Sequence, residues 1–157
     1  FPTLKDFAEA DVTEVESYVR SCGFYHTKAR DIVACAQILL EKYGGELPRT
    51  MEELTALPGV GRKTANLILG DVFKIPGSTV VDTHCIRISN RLGLVDNLKD
   101  PVKIEMALRK LLPPEHSSDF CHCIVLHGRA VCDARKPKCE SCCLRQLCQY
   151  FSGENQE

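Results

Sequence analysis

Residues 132–148 hold five of the chain's ten cysteines, at positions 132, 139, 142, 143 and 148, in a stretch too short and too polar to bury an apolar core of its own. Such a segment folds only if something besides hydrophobic burial ties it down. Cys132, Cys139, Cys142 and Cys148 read C-x6-C-x2-C-x5-C. Four thiolates gathered at that spacing can hold a zinc ion or a 4Fe-4S cluster. Zinc ribbons usually show two C-x2-C knuckles, and only one is clean here. Cys143 adds a fifth thiol beside Cys142 and leaves open which of the two binds. No charged-then-apolar leader is visible, so a reducing compartment and a metal are expected rather than a disulfide framework. The other five cysteines, at 22, 35, 85, 121 and 123, read as small buried apolar residues.

The rest of the chain reads as helix, which makes the fold class all-α with a small metal-stapled lobe. The pattern predicts helices from Asp11 to Cys22, from Thr27 to Gly44, from Thr50 to Ala56 and from Arg62 to Val72. Further helices are expected from Asp82 or Thr83 to Leu92, from Asp100-Pro101 to Leu112, and from Ser117 or Ser118 to Val131. Thr50 with Glu53 three residues on is a capping box. Thr79-Val80-Val81 is extended but too isolated to be a sheet. The organisation expected is a helical domain over 1–126, a cysteine lobe over 127–151 and a disordered tail over 152–157.

Composition excludes some roles. Hydrophobic residues make up 44% of the 157, enough for a folded domain. No run of about 20 apolar residues exists to span a bilayer. The net charge of −1 argues weakly against nucleic acid. Its distribution argues the other way: residues 57–91 carry five Lys/Arg against two Asp/Glu, and residues 127–148 the same five against two. Two local basic patches can make an electrostatic footprint that the average hides.

The first patch opens with Leu-Pro-Gly-Val-Gly at 57–61, between two expected helices. Glycines let a backbone turn tightly and approach another molecule. The second helix aims its N–H groups and its positive dipole end at the turn, an anion site suited to a phosphate without base specificity. Lys63 lies in the first turn of that helix, where its charge opposes the helix dipole. An exposed lysine here is most simply a phosphate contact, but a neutral amine is also a nucleophile able to form a Schiff base. Asp82, nineteen residues on, suits a helix N-cap and can also stabilise positive charge or handle protons.

"LPGVGRKTAN", with "VVDTHCIRISNRLGL" downstream, resembles the helix-hairpin-helix-Gly-Pro-Asp superfamily of DNA repair glycosylases, and within it the endonuclease III family. The resemblance runs from about residue 10 to residue 150. It implies a helix-hairpin-helix at about 50–72, with Gly59, Val60, Gly61, Arg62 and Thr64 against DNA. It implies Lys63 as the catalytic amine and Asp82, in Val81-Asp82-Thr83-His84, as the catalytic carboxylate. It implies a 4Fe-4S cluster on Cys132, Cys139, Cys142 and Cys148, since the family's cluster has that spacing. It places Phe24 where members carry an apolar wedge inserted between bases. Arg135, Lys136 and Lys138, in the loop between the first two cysteines, form a basic finger suited to a second phosphate contact.

The activity implied is base-excision repair. A DNA glycosylase with abasic-site lyase activity would remove oxidised pyrimidines from duplex DNA through a Lys63 Schiff base and β-elimination. The protein is expected to be an intracellular monomer, in the cytoplasm or nucleoid of a bacterium, or the nucleus or mitochondrion of a eukaryote. Family members carry a further N-terminal segment, so this chain is expected to lack part of the fold. Three other readings compete: a non-catalytic DNA-binding fragment, a monofunctional mismatch glycosylase, and a redox iron–sulfur carrier. Lys63 argues against the second, and the glycine turn against the third.

Overall fold

The computed structural model describes residues 1–154, and these contain no β-strand. The chain forms two compact units, Phe1–Ala65 and the residues from Asn66 onward. Among the described residues no helix is long and apolar enough to cross a membrane.

In the first unit, α1 (Leu4–Glu9) and α2 (Val12–Val19) both pack on α3 (Tyr25–Tyr43). Val15, Ala29 and Val33 make the buried centre of the α2–α3 contact. The periodicity did not announce α1, which is too short to show a repeat. Its signal is local: Thr3 and Asp6 cap each other, the hydroxyl accepting from Asp6 N–H and the carboxylate accepting from Thr3 N–H at 2.8 Å. α2 ends at Val19, short of the expected Cys22. α3 starts at Tyr25, two residues before Thr27, because Phe24 takes the N-cap position in left-handed conformation with no side-chain cap. Then come α4 (Met51–Thr55) and the start of α5 (Arg62–Leu67). Thr50 caps α4, but the box is closed differently. Glu53 takes the Thr50 hydroxyl at 2.7 Å rather than its backbone N–H.

In the second unit, α5 runs into one wider, π-helical turn over Ile68–Val72 where a continued α-helix was expected. Asp71 in that turn explains its anchorage: its carboxylate accepts from Ser118 Oγ at 2.7 Å and faces His122 Nε2 at 3.0 Å. Partial burial pushes the Asp71 carboxyl up, but the hydrogen bonds from His122 and Ser118 more than offset it and hold it below the usual range. α6 (Thr83–Leu92), α7 (Pro101–Leu111) and α8 (Ser117–Ala130) start as expected, with Asp82 capping α6 and Asp100-Pro101 opening α7. Val81, Cys85, Ile88, Val95, Ile104, Leu108 and Ile124 form the buried core. Each fully buried Ile or Leu there contributes roughly 1.5–3 kcal/mol. Single-turn helices at Cys139–Ser141 and Arg145–Leu147 lead to α9 (Gln149–Glu154). Of the tail expected from Ser152, residues 152–154 are the last turn of α9, and residues 155–157 lie outside the described residues.

Glu105 is 2% exposed on the inner face of α7, and Arg109 one turn on pairs with it at 2.9 Å. Arg109 also donates to Asn66 Oδ1 at 3.0 Å. Arg109→Ala is expected to destabilise the chain by about 2–3 kcal/mol in urea denaturation. That lies below the usual loss of a buried ion pair because about a third of Arg109 is in water.

Candidate functional site

The hairpin turn lies in the first unit, between α4 and α5. Leu57 is 3% exposed and anchors it, and its carbonyl accepts from Val60 N–H at 3.2 Å. The two glycines do different jobs. Gly59 has φ +73, and a Cβ there would lie 2.9 Å from Cβ of Asp31 on α3. Gly61 has no such conformation, and a Cβ there would meet nothing within 4 Å. Gly59 therefore shapes the turn, while Gly61 keeps a stretch of backbone bare toward solvent. Val60, Arg62 and Thr64 are half-buried beside it. Lys63 is exposed on the first turn of α5 and makes no hydrogen bond or ion pair among the described residues. Ala65 and Asn66 on the same helix are buried, at 0% and 1% exposure, which fixes the face that Lys63 presents.

Phe24 is 88% exposed with φ 59 and ψ 36. A β-carbon in the left-handed region costs roughly 1–2 kcal/mol, and no compensating packing holds this ring. Tyr25 is half-buried, its ring 3.9 Å from that of His26.

In the second unit, Asp82 sits half-buried at the N-cap of α6. Its Oδ1 accepts from Cys85 N–H at 2.8 Å, and its other oxygen carries no hydrogen bond among the described residues. The cap fixes the carboxylate through one oxygen and leaves the second available. His84 is half-buried, with Nδ1 3.1 Å from Arg87 Nη2. It packs over Gly128 of α8, where a Cβ would come within 2.4 Å of that nitrogen.

The cysteine lobe closes the second unit. Cys132, Cys139, Cys142 and Cys148 line one small pocket together with Ile88, Leu92, His127, Val131 and Tyr150. Cys143 is exposed and lies outside it. No Asp or Glu lines the pocket, and its donors are the cysteine sulfurs with His127, whose Nε2 lies 3.7 Å from Cys142 Sγ. Among the described residues no three His, Cys, Asp or Glu converge on one ion.

Spacing alone did not single out the arginines that support this lobe. Arg91 Nη1 donates to Cys132 Sγ at 3.2 Å and to Asp133 O at 2.7 Å, and Nη2 donates to Ala134 O at 3.0 Å. Arg87 donates to Cys132 O at 2.9 Å. Their i, i+4 spacing on one face of α6 was the available sign. The basic loop is set by Asp133, whose carboxylate accepts from Arg135 N–H at 2.9 Å and Lys136 N–H at 3.1 Å. Those bonds hold the Asp133 carboxyl below its ordinary range. Arg135 and Lys136 are exposed, while Lys138 turns its ammonium back to Ala130 O at 3.0 Å, at the end of α8. The other cysteines divide. Cys85 and Cys121 are buried as expected and Cys35 is half-buried, but Cys22 and Cys123 are exposed. Cys22 lies in the loop after α2, and Cys123 points from α8 away from the Cys121 face.

Residues 1–114 match the family model described as HhH-GPD superfamily base excision DNA repair protein. The chain is 45% identical to the endonuclease III of Synechocystis over 148 residues, 94% of this chain and 67% of that protein. It is 43% identical to the Escherichia coli endonuclease III over 142 residues, 90% of this chain and 66% of that one. The chain thus spans about two thirds of the length of these relatives. A solved structure described as a non-covalent endonuclease III–DNA complex superposes with a TM-score of 0.92 at 38% identity, covering 100% of this chain and 73% of that one. One described as a trapped endonuclease III–DNA covalent intermediate gives 0.91 at 39% identity, covering 99% and 72%. With a glycine hairpin, a capped Asp82 corner and a four-cysteine lobe on one helical chain, the likeness has its physical counterpart: the chain belongs to the HhH-GPD superfamily of base excision DNA repair proteins, and within it to the endonuclease III family.

Proposed function

We propose that this chain is a base-excision DNA glycosylase with abasic-site lyase activity, acting on oxidised pyrimidines in duplex DNA. The observation that carries the reading is Lys63, an exposed lysine with no partner among the described residues, two positions after the bare backbone of Gly61. The two structural relatives strengthen it, since one is described as a complex with DNA and the other as a trapped covalent intermediate.

The residues divide the work. Gly59 shapes the turn, and the backbone of Val60, Gly61, Arg62 and Thr64 takes a phosphate at the N-terminal end of α5. Phe24 enters the stack vacated when the damaged nucleotide flips out. The Lys63 amine attacks C1′ of the sugar and displaces the base, while Asp82 stabilises the positive charge growing on the sugar. The resulting imine loses a proton from C2′, and the 3′-phosphate leaves by β-elimination. Arg135 and Lys136 supply a second phosphate contact, with Lys138 positioning their loop from below.

Cys132, Cys139, Cys142 and Cys148 would hold a 4Fe-4S cluster. When bound, it supplies thiolate–iron bonds that tie the lobe together in place of an apolar core. Arg91 and Arg87 hold the backbone of that lobe against α6. Cys142→Ser is expected to lower the iron and inorganic sulfide content of the purified chain several-fold, and Cys143→Ser to leave both unchanged. Equal losses would mean that the exposed thiol is a ligand.

The reading is tested by incubating the chain with a duplex carrying one thymine glycol or one abasic site, adding borohydride, and running a denaturing gel. A protein–DNA adduct is expected. DNA binding with no adduct would replace the enzyme by a non-catalytic binding module.

A further inference from the structure

Residues 20–24 join α2 to α3 and carry Phe24, which enters the base stack in the proposed reaction. Its backbone is left-handed, at φ 59 and ψ 36, and its ring stands in solvent. A β-carbon disfavours that conformation, and such residues persist where their surroundings over-determine them. The surroundings here include one contact across the two helices. His26, two residues on in the first turn of α3, has Nδ1 2.7 Å from Glu16 Oε1 on α2. A carboxylate only accepts, so Nδ1 carries the proton and donates, in the neutral ring as in the charged one. Among the described residues this is the one hydrogen bond between a side chain of α2 and a side chain of α3. Both partners are held in place. The Glu16 side chain is 22% exposed and follows the buried Val15, which packs with Ala29 and Val33 of α3. The His26 ring lies 3.9 Å, centroid to centroid, from that of the half-buried Tyr25. The Phe24 carbonyl accepts from Lys28 N–H at 3.0 Å, which ties Phe24 to the same helical turn as His26.

We propose that Glu16 and His26 are positioning residues for opening the duplex. Their pair pins the first turn of α3 to α2 and so holds Phe24 in the conformation that keeps its ring clear of the fold before DNA arrives. The inference deepens the proposed function and rests on its assignment of Phe24 as the inserting residue. The magnitudes fit a local role. An exposed pair of this kind shifts an equilibrium about two- to fivefold. That is slight against the burial of Val15, Ala29 and Val33, so the fold does not depend on it. It is comparable with the bias against a left-handed β-carbon, which is about five- to thirtyfold. The pair therefore sets how much of the chain has its loop ready to insert. A step that needs one conformer is slowed by the fraction that lacks it. Removing either partner leaves the Phe24 ring on the protein but frees the backbone that aims it.

The test is stopped-flow 2-aminopurine fluorescence with the whole chain. The probe is a duplex carrying a tetrahydrofuran abasic analogue, which forms no imine, with 2-aminopurine stacked beside it. The parent chain is expected to give a fluorescence step on insertion, and Phe24→Ala to remove it. Glu16→Ala and His26→Ala are each expected to slow the step about threefold, and the double variant to be no slower than either single one. Glu16→Gln, whose amide oxygen still accepts from Nδ1–H, is expected to restore the parent rate. The urea midpoint is expected to stay where it is in all four, as for other surface substitutions. Insertion at the parent rate in both single alanine variants overturns the proposal. So does a double variant slowed by the product of the two single effects, because the residues then act independently. A step that survives Phe24→Ala overturns it as well, because another group then inserts. Failure of the enzyme reading looks different: the borohydride adduct is missing while the insertion step and its dependence on Glu16 and His26 remain.

Discussion

Lys63→Gln abolishes the borohydride-trapped adduct, and strand cleavage at an abasic site falls on the order of 10³-fold or more. The size follows from the chemistry. An amide nitrogen forms no imine, so the β-elimination route closes rather than slows. The same substitution leaves the fold alone, because Lys63 is exposed and makes no hydrogen bond or ion pair among the described residues. Surface changes of that kind shift stability by about ±0.5 kcal/mol. DNA binding weakens only by one phosphate charge, seen as a slightly shallower salt dependence. Lys63→Arg separates charge from nucleophile: binding is retained and the adduct is still lost. Cleavage surviving in Lys63→Arg would place the nucleophile elsewhere in the chain. Asp82→Asn complements the pair, since asparagine caps α6 as well as aspartate does. Any loss of base removal at unchanged stability then reports the missing charge.

The sequence was most legible where one local rule decides the structure. Asp100-Pro101 and Asp82 start α7 and α6 because cap chemistry is encoded within four residues. The division between Cys142, inside the lobe cavity, and Cys143, outside it, was not legible. Two adjacent thiols are equivalent in spacing and differ only in which way the chain turns after Ser141. α3 starts at Tyr25 instead of Thr27 because Phe24 accepts a left-handed conformation that a propensity argument assigns to glycine. Arg87 and Arg91 read as ordinary helix-surface charge. Their importance appears only when residues 41 to 45 positions away present carbonyls and a thiol to them. The π-helical turn at Ile68–Val72 depends likewise on Ser118 and His122 from α8 holding Asp71.

The two glycines of the hairpin give the sharpest separation of folding from function. Gly59→Ala is expected to destabilise the first unit by about 2–4 kcal/mol. A β-carbon at φ +73 costs roughly 1–2 kcal/mol, and overpacking adds about 1–3 kcal/mol. The clash is with Asp31 Cβ, 2.9 Å from the added atom, which is fixed to the α3 backbone and has no rotamer to escape into. Gly61→Ala behaves oppositely. Its backbone conformation suits alanine and the added methyl meets nothing within 4 Å. Stability therefore holds or rises by about 0.4–1 kcal/mol through the less flexible unfolded chain. DNA affinity nevertheless falls about tenfold, worth about 1.4 kcal/mol, because the methyl occupies the space through which a phosphate reaches the α5 N–H groups. Urea denaturation and titration of a fluorescent duplex measure the two effects separately. A Gly61→Ala chain that binds DNA as the parent does would show that the bare backbone at 61 is not a phosphate approach. The basic loop at Arg135 and Lys136 would then have to supply the main contact.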